Sequence, residues 1–160
     1  MFCVFCFVKI YCVMFSCAVV IDLSNTGLTD IALASLTLDV HYLELQDNLL
    51  TSLPANCLTQ YSLLEYAGFM NNRISYVDKD AFTGTIISSL RVDFNKLTAV
   101  PDLSSISGTL LMLNLAGNDI TNYDNLRSFT KLETLYLGNN PFTEFDGELF
   151  GSMTSLSTLA

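Results

Sequence analysis

Basic side chains are scarce in this 160-residue chain: seven Lys and Arg stand against sixteen Asp and Glu, for a net charge of −9. Partners that reward clustered cations, nucleic acid and anionic membrane surfaces, are therefore not expected. The acidity reads either as a solubilising surface or as an acidic binding face. Tryptophan is absent and histidine occurs once, as His41. It has no nucleophile at motif spacing, and a triad or a histidine-based metal site needs more groups than this. No glycine pattern of a P-loop or dinucleotide fold is present. Catalysis, a cofactor and a metal are thus not expected. Three prolines and eight glycines leave no flexible linker. No Asn-x-Ser/Thr sequon occurs, which weighs against a glycosylated exterior.

Cysteine is unevenly placed. Four of the five, Cys3, Cys6, Cys12 and Cys17, fall in the almost wholly apolar residues 1–18, whose one charge is Lys9. Cys3 and Cys6 form a CxxC pair in a Phe- and Val-rich run, without the polar loop or second pair that zinc or redox chemistry uses. The run Ile10 to Phe15 followed by Ser16-Cys17-Ala18 has the form of a secretory leader cleaved after Ala18, although the part before Lys9 is apolar rather than basic. An uncleaved anchor, or a structural cap or misannotated start, are the other readings. The division is a leader over 1–18 and a repeat domain over 19–160. Without the leader, Cys57 is the only thiol, and no internal disulfide can form.

What the chain has in abundance is a repeat. The template L-x-x-L-x-L-x-x-N-x-L fits Leu110, Leu113, Leu115, Asn118 and Ile120, and five further units. These units start at positions 18, 40, 64, 87, 110 and 132, with a truncated seventh at 156, so the spacing is 22–24 residues. Within each unit the alternation is that of a strand. Successive strands should lie parallel, about 4.8 Å apart. The remainder of each unit is too short and too poor in helical period for a long helix, so turns and short 3₁₀ segments are expected. The tighter strand side then bends the stack into an arc.

The asparagines follow from this geometry. Where the chain turns off a strand, backbone groups point inward without ladder partners, and an unsatisfied one costs roughly 1–3 kcal/mol. An amide both donates and accepts, so Asn48, Asn72, Asn95, Asn118 and Asn140 are expected to form a structural ladder. Thr26 takes that place in the first unit. The return segments share an apolar pair five residues apart: Leu53 and Leu58, Val77 and Phe82, Phe145 and Phe150. Cys57 occupies the slot of Ala81, as a small buried residue.

On these residues the chain resembles the leucine-rich repeat family over 18–160. Its 22–24-residue units and return pattern are similar to the typical repeat class of Toll-like receptor ectodomains and small leucine-rich proteoglycans. The resemblance implies an α/β-type solenoid, mostly β with turns and short 3₁₀ segments, curved like a horseshoe with a parallel sheet on its concave face.

Function in such an array is expected on the outward strand positions. They run in three columns: Val20, Tyr42, Tyr66, Ser89, Met112 and Thr134; Asp22, Glu44, Gly68, Arg91, Asn114 and Tyr136; Ser24, Gln46, Met70, Asp93, Ala116 and Gly138. Aromatics, Met and Arg are enriched at interfaces. The candidate ligand-binding residues are therefore Tyr42, Glu44, Tyr66, Met70, Arg91, Asp93, Met112, Asn114 and Tyr136, with Phe94 extending the patch. Glu44 and Asp93 are placed to offset Arg91, and an alanine pair at Tyr66 and Arg91 is expected to leave stability unchanged. The function implied is non-catalytic recognition of a protein or glycan ligand, secreted or on a receptor at the cell surface. The alternatives are a cytoplasmic adaptor and the N-terminal part of a larger signalling protein.

Overall fold

The alternation in each repeat settles into a short strand whose inward pair is sealed against the pairs above and below. The computed structural model describes residues 9–12 (as backbone), 18–31, 39–141 and 148–160. The strands are β1 (Lys9–Cys12), β2 (Val19–Asp22), β3 (Val40–Glu44), β4 (Ser52–Leu53), β5 (Tyr66–Gly68), β6 (Tyr76–Val77), β7 (Ser89–Arg91), β8 (Met112–Asn114), β9 (Thr134–Tyr136) and β10 (Thr158–Leu159). Eight form one sheet in the order β1-β2-β3-β5-β7-β8-β9-β10. From β2 to β10 every pairing is parallel, and the register matches repeat position to repeat position: Tyr42 opposite Tyr66, Tyr66 opposite Ser89, Ser89 opposite Met112. The architecture is the parallel-sheet solenoid that the period implies.

The inward pairs Ile21 and Leu23, Leu43 and Leu45, Ala67 and Phe69, Leu90 and Val92, Leu113 and Leu115, and Leu135 and Leu137 are all buried. They join Val40, Leu64, Ile87, Leu110 and Leu132 in one continuous core. The return side closes that core with Leu53, Leu58, Val77, Phe82, Leu103, Leu126 and Phe129. Phe69 and Phe82 meet there at 6.3 Å between ring centroids. Return segments carry 3₁₀ turns at Ser104–Ile106, Asp124–Ser128 and Leu149–Ser152, and no α-helix occurs among the described residues. The sequence pattern gives no sign of a second small sheet, in which β4 and β6 pair in parallel, Ser52 opposite Tyr76 and Leu53 opposite Val77. Equal spacing of the two return segments from their strands brings those dipeptides level, and burial of Leu53 and Val77 holds them there.

The leader expected over 1–18 lies mostly outside the described residues, as do Phe142 and Phe145. Lys9–Cys12 is described, and runs antiparallel along β2 with Lys9 opposite Asp22. It covers the edge of the first parallel strand, an edge that would otherwise present unpaired backbone groups.

Asparagine hydrogen bonds tie one repeat to the next. Asn72 Nδ2 donates to the carbonyls of Leu45 (2.9 Å) and Phe69 (3.0 Å), and its Oδ1 accepts the Leu50 N–H (3.0 Å). Asn95 repeats this one unit on, donating to Phe69 (2.9 Å) and Val92 (3.1 Å) and accepting from Ile74 (2.9 Å). Asn118 serves Val92, Leu115 and the Leu97 N–H; Asn140 serves Leu115, Leu137 and the Ile120 N–H; Asn48 serves Leu23, Leu45 and the Leu28 N–H. In the first repeat the Thr26 hydroxyl donates to Leu23 O at 2.8 Å, the within-repeat half of the same scheme. The asparagines do not bond one another. Each bridges backbone carbonyls of two repeats and accepts a backbone N–H; Asn48 Oδ1 accepts two, from Thr26 (3.1 Å) and Leu28 (3.0 Å), and also the Thr26 hydroxyl (3.1 Å), which joins the first two ladder positions directly.

Asn95→Ala would strand three buried backbone groups at the middle of the stack. A loss of roughly 2–4 kcal/mol is expected in a urea titration; an unchanged midpoint would show that the asparagine does not hold the turns together.

Candidate functional site

With the inward positions consumed by packing, the outward positions of β2, β3, β5, β7, β8 and β9 form the face on which the candidate residues stand. The parallel register stacks Tyr42 beside Tyr66, with ring centroids 6.1 Å apart and planes tilted by 34°. In the next column Glu44, Gly68, Arg91, Asn114 and Tyr136 follow one another across the strands. Tyr42 and Tyr136 are exposed, while Tyr66, Glu44, Met70, Arg91, Met112 and Asn114 are half-buried.

Gly68 interrupts the central column, and its neighbours fill the space. A Cβ built there would come within 2.7 Å of Glu44 Oε2 and 2.8 Å of Tyr66 Oη. Both polar tips therefore converge over the glycine. Burial raises the Glu44 carboxyl above its ordinary value, and the charge of Asp22 raises it further; Arg91 and the Tyr66 hydroxyl act in the other direction. Burial, then Glu44, push the Tyr66 hydroxyl up to about 12. Glu44 Oε2 and Gln46 Oε1 are both buried atoms without a hydrogen bond among the described residues.

Arg91 is claimed by Asp93, two residues on, just past the end of β7. Its Nε and Nη2 donate to Asp93 Oδ1 (3.1 Å) and Oδ2 (2.8 Å), a two-pronged ion pair. Asp93, expected among the ligand contacts, is 1% exposed, and its carboxylate faces Arg91. One strand on, a short polar side chain folds onto its own turn, as Asn114 Oδ1 accepts the Ala116 N–H at 3.0 Å. Ser89 Oγ lies 3.9 Å from Met112 Sδ. The Val19 N–H donates to His41 Nδ1 at 3.4 Å, which gives the single histidine a place in the strand edge. Cys57 is half-buried with Sγ 3.5 Å from Ala81 O, and burial pushes its thiol up to about 11. A hollow of about 420 Å³ lies on the return side between Tyr76 and Pro101, away from the candidate residues.

Phe94 is the residue whose role the sequence pattern conveyed least. It occupies the repeat position just before the ladder asparagine, which adopts left-handed backbone throughout: Asn25, Asp47, Asn71, Asn139 and Gly117 all have positive φ. Those residue types tolerate that region; a phenylalanine does not. Phe94 nevertheless sits at φ 53° with 52% of its surface exposed. Its ring lies against Gly117, where an added Cβ would come within 2.5 Å of Cδ1. The repeat that follows thus supplies the glycine that makes room for the ring. A bulky residue read one position at a time gives no sign of this; a comparison down the column does.

Two variants follow. Phe94→Asn should stabilise the protein by about 0.5–1 kcal/mol by removing left-handed strain, read by thermal or urea unfolding; a lower midpoint would show that ring packing outweighs the strain. Glu44 binds its proton more tightly in the folded state than in the unfolded chain. Its charged form therefore weakens folding at neutral pH, and that penalty is absent below the ordinary carboxyl value of 4.5. Glu44→Gln should raise the melting temperature at pH 7, with the gain shrinking through acid pH and gone below about pH 4.5.

Comparison with known proteins agrees with this architecture. Residues 109–151 match a family described as Leucine Rich repeats (2 copies). Human leucine-rich repeats and immunoglobulin-like domains protein 3 is 30% identical over 77 residues, covering 46% of this chain and 7% of that protein. Toll-like receptor 6 of Dasypus novemcinctus is 31% identical over 104 residues, covering 62% of this chain and 12% of the receptor. Among solved structures, the crystal structure of a TLR13–ssRNA13 complex superposes with a TM-score of 0.72 at 27% identity, over 96% of this chain and 22% of that one. The chain thus spans less than a quarter of the length of each. The RNA in that complex also means that net charge alone does not exclude nucleic acid for this fold. Residues 109–151 thus carry leucine-rich repeats, the chain as described folds as a parallel-sheet solenoid, and the proteins it is similar to include Toll-like receptors.

Proposed function

We propose that the chain is a non-catalytic recognition module that binds a protein ligand on the outward face of its parallel sheet, as part of an extracellular or cell-surface protein. The observation behind this reading is the division of labour within each repeat. Leu, Ile, Val, Phe and Asn positions are used up by the core and its hydrogen bonds, while Tyr42 and Tyr136 stand exposed on a regular surface beside the half-buried Tyr66 and Arg91. The likeness to Toll-like receptors supports the extracellular setting. A leader over 1–18 belongs to the same proposal; cleavage after Ala18 would remove β1 and bare the edge of β2.

A second reading, single-stranded RNA on the same face, is favoured by the TLR13–ssRNA13 complex. The face itself favours protein: its outward columns hold Asp22, Glu44 and Asp93 against one guanidinium, Arg91, already bound to Asp93.

The alanine pair at Tyr66 and Arg91 is not the right probe, because Arg91→Ala would leave the buried Asp93 carboxylate uncompensated and unfold the region for reasons unrelated to binding. Tyr42→Ser combined with Tyr136→Ser removes two exposed rings and leaves the buried core intact. A binder selected from a displayed library of secreted proteins should lose at least tenfold in affinity to this double variant, with the melting temperature within about 2 °C of the parent. Full affinity in the variant would place recognition elsewhere on the arc.

A further inference from the structure

The N-terminal half of the sheet face has acceptors without donors. Glu44 Oε2 and Gln46 Oε1 make no hydrogen bond among the described residues, although both atoms are withdrawn from water. The Tyr66 hydroxyl acts on the Glu44 carboxyl and still leaves Oε2 without a partner. A buried acceptor left in that state is costly, and a charged one more so. The side chain that could have answered Glu44 is Arg91, directly across Gly68 in the same column. Its guanidinium turns to Asp93 instead. The outward columns carry three carboxylates and one guanidinium, so the face keeps an excess of negative charge after that pair is counted. Beside the two acceptors, Tyr42 and Tyr66 present a tilted pair of rings.

These features specify what would complete the site. The missing group must donate hydrogen bonds, carry positive charge, and lie flat enough to rest on an aromatic ring. A guanidinium meets all three conditions: its fork matches a carboxylate, and its plane stacks on tyrosine. The carboxylate tip and the Tyr66 hydroxyl occupy the room over Gly68, and Glu44 as a whole is half-buried, so rotation about its outer torsions turns the carboxylate out of that room toward an incoming group. A phosphate would meet Glu44 and Asp22 with its own negative charge.

We infer that the face between β2 and β5 seats an arginine side chain of a basic segment of a partner protein, with the guanidinium on Glu44 and Gln46 and against Tyr42 and Tyr66. This rests on the reading of the sheet face as the recognition surface and adds the chemistry of the partner to it. Arg91 with Asp93 then forms the closed, neutral side of the seat, and Met70 an adaptable wall.

The test is a titration of the whole chain with nona-arginine, followed by calorimetry and by the amide signals of Tyr66 and Gly68. Glu44→Gln is compared with Asp124→Asn, which removes the same charge from the exposed return side. Binding should move the Gly68 amide, weaken at least fivefold in Glu44→Gln, and stay within twofold in Asp124→Asn. Equal weakening in both variants would reduce the effect to net charge and overturn the proposal. So would absence of binding, or a single-stranded RNA oligonucleotide that binds and displaces the peptide from the same amides. If nona-arginine fails while a selected protein still loses affinity in the Tyr42/Tyr136 variant, the recognition face stands and the arginine seat falls.

Discussion

Every repeat faces the same difficulty: the chain must leave the sheet after a few residues and turn back through an apolar interior, carrying N–H and C=O groups that have lost their ladder partners. The asparagine amide resolves it with one side chain that supplies two donors and an acceptor where the backbone needs them. Because its targets lie in two repeats, the same hydrogen bonds that satisfy the turn also set the distance and register between neighbours. Leucine burial drives the stack together, and it is non-directional. The amide bridges are what make the stack a single arrangement rather than a set of sliding layers.

That register has a consequence for the surface. Once strands are locked position to position, outward residues are aligned in columns whether or not they have anything to offer one another. Where neighbours suit, they pair, as with Tyr42 and Tyr66. Where they do not, polar tips turn into whatever room remains, as with the Glu44 carboxylate over Gly68. The strained Phe94 backbone and the raised Glu44 carboxyl are both departures from the most stable choice at their positions. Such departures collect where a surface has a task other than folding.

Much of this is legible along the chain itself. The 22–24-residue period and the inward pairs such as Leu113 and Leu115 are local patterns found in six units, and the ladder asparagine in five of them, and repetition makes a weak signal strong. Membership of an outward column is legible as well, because a strand alternates and the period supplies the register. What a member of a column does is not. Asp93 carries the same outward assignment as Glu44, yet it is sealed under Arg91, since a bidentate pair between residues two apart at the end of β7 shields the shorter side chain. The small sheet of Ser52–Leu53 and Tyr76–Val77 is hidden in the sequence because two residues hold too little alternation to announce a strand.

The repeat's composition and period settle the solenoid, the parallel sheet and the buried face, because each depends only on spacing along the chain. Which charges neutralise one another, which acceptors lack a donor, and which aromatic bears backbone strain depend on distances between side chains from different repeats. Those distances exist only after the stack has closed. The gap at Gly68 illustrates it: a glycine in the sequence is merely small, and it becomes a feature of the surface only when Glu44 from the strand before and Tyr66 from its own lean into the space it leaves.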